Sequence, residues 1–103
     1  MVLRITPEEP SFERVTLRLE GRLDAEWAAL VERECLELQR AGCAVTLDMT
    51  GVGIVDRAGI ESLARLSREG VAIRCRPGLI ASVLEGERIP VTEDPDGADG
   101  GRS

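Results

Sequence analysis

The stretch AVTLDMTGVGIVDRAGIESLARL, running from Ala44 to Leu66, decides how the chain is read. Val45, Leu47 and Met49 alternate with Ala44, Thr46 and Asp48, the period of two expected of a strand with one buried face. Thr50-Gly51-Val52-Gly53 reads as a turn, its glycines free to take φ > 0. Asp56 is placed to cap a helix, because its carboxylate can accept free backbone N–H groups of the first turn. Ile60, Leu63, Ala64 and Ser67 then share one helical face. The pattern is strand, turn, helix, with the helix N-terminus at the loop end of the sheet. Partial positive charge collects there and suits an anion or a partner's acidic group.

On the N-terminal side, Val2 to Thr6 reads as a short strand. Residues 7–11 read as a loop, because Pro7 and Pro10 have no N–H to pair. A strand from Phe12 or Arg14 to about Glu20 turns Val15, Leu17 and Leu19 one way, and Gly21-Arg22-Leu23 bends out of the sheet. Asp24 is the N-cap expected for a helix over 25–41, with Trp27, Leu30, Val31, Cys35 and Leu38 on its apolar face and Gly42 at its end.

On the C-terminal side, Gly70 closes the central helix and Val71 to Cys75 forms a strand. Pro77 suits the first turn of a third helix, with Leu79, Ile80, Val83 and Leu84 as its apolar face and Gly86 as its stop. Arg88 to Val91 reads either as an edge strand or as an extended tail. Residues 92–103 are rich in Gly, Asp and Pro with almost nothing to bury, so an acidic disordered tail is expected after a domain over 1–91.

The order β-β-α-β-α-β-α implies parallel pairs joined by crossovers. A parallel strand covered on both faces reads as a continuous apolar run, and these strands alternate instead. One sheet face therefore carries the helices. The other is largely wet, bearing Arg4, Thr16, Arg18, Thr46, Asp48 and Arg74. The expected architecture is a two-layer α/β fold with a mixed four-stranded sheet and helices mainly on one face. An Arg-rich open face would also serve self-association as a homodimer.

Hydrophobic residues make up 43% of the 103 residues and aromatics only 2%, so the core must be aliphatic. The net charge of −6 without a basic cluster argues against nucleic acid, whose phosphates need grouped Lys or Arg. No apolar run approaches the ~18 residues of a membrane span, and no signal-peptide pattern is visible. A cytoplasmic protein is expected. The three cysteines, with no CxxC, suit buried thiols in a reducing compartment.

The chain has no His, Lys or Tyr, which removes histidine triads, HExxH sites, Schiff bases and a Walker lysine. Gly51-Val52-Gly53 lacks the third glycine of a dinucleotide loop. Asp48, Asp56 and Glu61 could cluster near the turn, but each has a simpler role as strand end, helix cap or complement to the helix dipole. No enzyme, cofactor or metal is expected.

Asp48 to Ile60, D-M-T-G-V-G-I-V-D-R-A-G-I, resembles the signature of STAS domains, the module of anti-sigma factor antagonists and sulfate-transporter tails. Asp48, Thr50, Gly51, Val52, Ile54, Val55, Asp56, Gly59 and Ile60 fit its pattern, roughly D-L-S-G-V-x-F-I-D-S-S-G-L. L-R-L-E-G-R-L-D at Leu17–Asp24 is similar to the family's second strand and the turn after it. The resemblance implies a mixed sheet with helices mainly on one side. It implies a non-enzymatic module of bacterial signalling or transcription regulation, whose partner is an anti-sigma factor or kinase-like regulator. In members that respond to phosphorylation, the phosphate goes on the Ser before the Gly. That position is Ala58 here, with Arg57 ahead of it, so no switch is expected at Ala58. Thr50 matches a second family position modified in some members, and Ser62 keeps a hydroxyl nearby.

The resemblance therefore places the partner-binding surface at Thr50, Gly51, Val52, Asp56, Arg57, Ala58, Gly59 and Ile60. Arg57 and the N–H groups of the first turn would receive an acidic patch or a phosphate. The rival reading is a sensor that binds a nucleotide or anion at Asp56–Gly59. The scarcity of aromatics and the lack of a phosphate-cradling loop count against it.

Overall fold

A computed structural model describes residues 4–8 and 14–93 of the chain. The readings made above for Val2, Leu3, residues 9–12 and residues 94–103 lie outside the described residues. The elements run β1 (Arg4–Glu8), β2 (Arg14–Leu23), α1 (Ala25–Arg40), β3 (Ala44–Val55), α2 (Arg57–Arg68), β4 (Ala72–Cys75), α3 (Leu79–Gly86) and β5 (Thr92–Glu93). They build a five-stranded sheet in the order β1-β2-β3-β4-β5. β1 is antiparallel to β2, and the other three pairings are parallel.

Alternation sorts the layers as the sequence implies. Val15, Leu17 and Leu19 of β2, Val45, Leu47 and Met49 of β3, and Ile73 and Cys75 of β4 are all buried. They share one core with Ala28, Val31 and Cys35 of α1, with Ile60, Leu63 and Leu66 of α2, and with Ala81 and Leu84 of α3. The opposite sheet face carries Arg18, Thr16, Thr46 and Arg74, exposed or half-buried. Asp48 is the exception on that face, only 4% exposed.

Several expectations need correction. The sheet has five strands, not four, because Thr92 and Glu93 pair with Arg74 and Cys75. The last strand therefore lies beyond Arg88–Val91 and takes the first two residues assigned to the tail. Pro7 and Glu8 belong to β1, where Pro7 pairs with Leu17. β1 is an edge strand, which a residue lacking N–H can join. Gly21-Arg22-Leu23 stays in the sheet, accommodated by irregularities in the β2–β3 register and by Gly21 at φ 113.

The largest correction concerns Thr50 to Gly53. No turn forms, and β3 runs twelve residues to Val55. Gly51 pairs with Glu20, Val52 with Gly21 and Ile54 with Arg22. Neither Gly51 nor Gly53 has a positive φ. Gly51 is needed for close approach instead, since a Cβ there would sit 2.8 Å from Glu20 Cγ and 3.2 Å from the Leu19 carbonyl oxygen.

All three helices end alike. The N–H of Cys43 reaches the Leu38 carbonyl, that of Val71 the Leu66 carbonyl and that of Ile89 the Leu84 carbonyl. Each closes a Schellman turn over a residue of positive φ. In α1 and α2 this residue is glycine, Gly42 at φ 95 and Gly70 at φ 97, while in α3 it is Arg88 at φ 64. Gly86 is the last residue of α3, but the left-handed turn that ends the helix falls on Arg88. Pro77 also falls outside the helix, ahead of the capping residue Gly78.

Candidate functional site

The signature residues meet where β2, β3 and α2 converge. Asp56 caps α2 as expected, its Oδ1 accepting from the Gly59 N–H at 2.8 Å. Its own N–H donates to the Leu23 carbonyl at 3.1 Å, tying the cap to the end of β2. Gly59 packs against that same end. A Cβ there would lie 2.7 Å from the Leu23 carbonyl oxygen and 2.9 Å from Val55 Cγ1. Gly59 and Ile60 are thus buried structural residues, while Asp56 and Arg57 are exposed and Ala58 is half-buried.

Thr50 and Asp48 form a second unit. Asp48 Oδ1 accepts from the Thr50 N–H at 3.0 Å and from its hydroxyl at 2.7 Å. Arg74 Nη2 stands 4.0 Å from Asp48 Oδ2. Asp48 is therefore an anchored interior carboxylate, not a strand end facing water. The Thr50 hydroxyl is half-buried and already donates to it.

Arg57 does not stand ready for a ligand. Its Nη2 lies 3.2 Å from Glu87 Oε2, joining the start of α2 to the end of α3. The hydrogen bond to Glu87 holds the guanidinium pKa above its ordinary value. Ser62 lies elsewhere, buried between α1 and α2, where its hydroxyl donates to Glu32 Oε1 at 2.9 Å. Arg65 grips the same carboxylate with Nε at 2.8 Å and Nη2 at 3.0 Å. Those hydrogen bonds, Arg65 first, hold the Glu32 pKa below its usual value despite partial burial.

Sequence reasoning did not foresee which apolar residues remain outside. Leu79 is 80% exposed, Ile54 51% and Val83 38%. A groove of about 120 Å³ separates α3 from β3 and α2, lined by Gly53, Val55, Ile60, Leu79, Ile80 and Val83. A second recess of about 210 Å³ shares Gly53, Leu79 and Ile80 with it and is lined also by Thr50, Arg76 and Pro77. Of the apolar face expected for α3, Leu84 is buried and Ile80 packs against the core, while Leu79 and Val83 stay outside and Ala81 takes the second buried place. A signal was present in LIASVL, which holds more apolar residues than one face of an eight-residue helix can bury.

Other chemistry finds little support in the geometry. Among the described residues, no three of His, Cys, Asp and Glu are grouped to hold a metal ion. Burial pushes the Cys35 thiol up to about 12, so it stays protonated near neutrality. Cys75 is also buried. No helix of the described residues is long and apolar enough to cross a membrane. The α2 N-terminus already holds the Asp56 carboxylate, which would repel an anion arriving at Asp56–Gly59.

A mixed sheet over one helical layer, with the D-x-T-G and D-x-x-G units joined at the end of β3, defines a STAS domain. The chain belongs to that family: the model described as "Mlab, STAS domain" matches residues 8–82, more than half its length. The structure of the anti-sigma factor antagonist SpoIIAA in its unphosphorylated form is similar, with 17% identity, 88% of each chain covered and a TM-score of 0.65. A crystal structure of a putative anti-sigma factor antagonist from Thermotoga maritima is 16% identical, covering 92% of this chain and 88% of that one, with a TM-score of 0.58. A protein from Shewanella loihica with a SpoIIAA-like fold is 12% identical, covering 89% and 83%, with a TM-score of 0.56. At these identities the likeness is one of fold. No curated protein sequence matches the chain closely.

Proposed function

We propose that this STAS domain acts by binding another protein, without chemistry of its own, in bacterial signalling or transcription regulation. SpoIIAA, whose fold it shares, is named an anti-sigma factor antagonist, so an anti-sigma factor or kinase-like regulator is the partner class. The reading rests chiefly on the exposure of Leu79 and Val83 on α3, beside the groove whose far wall is Gly53, Val55 and Ile60. An apolar groove rimmed by exposed apolar side chains is the kind of surface that protein partners cover.

The docking surface in this proposal combines Thr50, Asp56, Arg57 and Ala58 with the outer face of α3. Gly51 is exposed next to Thr50, and the buried Val52, Gly59 and Ile60 support the surface from beneath. Ala58 offers no hydroxyl, so binding is not switched by phosphorylation there. Modification of Thr50 would have to displace its hydroxyl from Asp48. Self-association across the open sheet face is a separate arm of the proposal, read by sedimentation. The cytoplasm is the proposed compartment.

The test pairs two measurements. Tagged protein is used to capture partners from extract of its own host, and the purified chain is heated with nucleotides and inorganic anions. The proposal expects a regulator to be retained and no shift in Tm with small ligands. Stabilisation by a nucleotide, with no protein retained, overturns it in favour of a sensor.

A further inference from the structure

We propose that α3 opens locally while the rest of the domain stays folded, and that the Arg57–Glu87 ion pair is the latch holding it closed. The inference rests on this chain's own geometry and stands whether or not a partner docks on α3.

The three helices are not equally secured. α1 and α2 start on aspartates whose carboxylates accept first-turn N–H groups. α3 starts on Gly78, which offers no side chain to its first turn. The Gly78 backbone, at φ 146 and ψ −151, lies in a region essentially reserved for glycine. At the other end, Arg88 occupies the left-handed position that glycine fills in α1 and α2. A side-chain-bearing residue there is at a disadvantage that glycine avoids.

α3 also has the least to hold it down. It has eight residues against sixteen and twelve in α1 and α2, and only Ala81 and Leu84 are fully buried. Segments with short packed faces and weak ends are those that open below global unfolding. Two attachments oppose this. Ile89 is buried and donates its N–H to the Leu84 carbonyl at 2.9 Å. Glu87, the C-cap of α3, reaches Arg57, the first residue of α2, at 3.2 Å.

Residue-resolved amide hydrogen exchange on the full chain tests the latch. Among the reporters, the N–H groups of Ser82, Glu87 and Ile89 are bonded to Gly78, Val83 and Leu84 carbonyls. In the wild type they should exchange faster than the amides of Val31 and Cys35 in α1. Arg57→Ala and Glu87→Gln should each quicken the α3 reporters roughly two- to fivefold, as for loss of an exposed ion pair, and leave α1 unchanged. The exchanged pair Arg57→Glu with Glu87→Arg should restore the wild-type rates, and Arg88→Gly should slow them. The proposal is overturned if α3 and α1 exchange at one common rate, or if neither single variant alters α3. Failure of the exchanged pair to restore the rates would equally remove the latch.

Discussion

Asp48 holds Thr50 twice, through the backbone N–H at 3.0 Å and the hydroxyl at 2.7 Å, its side chain buried although it stands on the open face of the sheet. The motif that the sequence presents as a loop is thus a pinned segment of strand. Thr50→Val keeps the shape but removes the hydroxyl donor. It should lower stability by about 1.5–3 kcal/mol in urea unfolding, as for a hydrogen bond to a charged group. Thr50→Glu should lower it further, because a second carboxylate then faces Asp48. Equal stability of wild type and Thr50→Val would show that this bond does not matter.

The two signature glycines and their neighbour Gly53 should separate cleanly. A Cβ at Gly59 meets the Leu23 carbonyl oxygen and Val55 Cγ1, at 2.7 and 2.9 Å. Gly59→Ala should cost about 1–3 kcal/mol through overpacking. Gly53 has nothing within 4 Å of the added carbon. Gly53→Ala should therefore stay within about 0.5 kcal/mol of wild type. At Gly51 the nearest obstacle is Glu20 Cγ, part of a side chain that can move, so the loss there should be intermediate.

The clamp between α1 and α2 makes stability depend on acid pH. Hydrogen bonds from Arg65 and Ser62 hold the Glu32 pKa below the usual carboxylate value. A carboxylate depressed in the folded state adds stability above its unfolded pKa, and that stability fades as pH falls through the folded value. Denaturation midpoints should therefore decline below about pH 4.3, the value of an unperturbed Glu. In Glu32→Gln this part of the decline should shrink. Glu32→Ala should cost about 1–3 kcal/mol at pH 7, because it removes the acceptor of the buried Ser62 O–H and leaves that hydroxyl only the contact from Arg65 at 3.3 Å.

Much of the architecture was legible in the sequence because local rules sufficed. Alternation in β2, β3 and β4 gave the buried face, Asp24 and Asp56 marked the helix starts, and Gly42 and Gly70 marked two of the ends. What escaped depended on partners far along the chain. Gly51 and Gly53 look like turn residues until β2 supplies their strand pairing through an irregular register. Arg88 could not be read as a helix terminator, since its chemistry disfavours the conformation it adopts. Arg57 reads as a free cation because Glu87 lies thirty residues away, and Ser62 reads as an available hydroxyl because Glu32 is equally remote. The signature located the site, but which apolar residues stay outside was decided by how α3 packs.

The central claim is that the apolar surface of α3 and the end of β3 is a protein-docking site. Leu79 is 80% exposed, so Leu79→Glu should leave Tm within a degree or two while placing a charge in the middle of that surface. The decisive measurement is the affinity of the captured regulator for wild-type protein, for Leu79→Glu and for Arg33→Ala on the exposed side of α1. The account predicts at least a tenfold loss for Leu79→Glu and none for Arg33→Ala. Unchanged affinity in Leu79→Glu would contradict it.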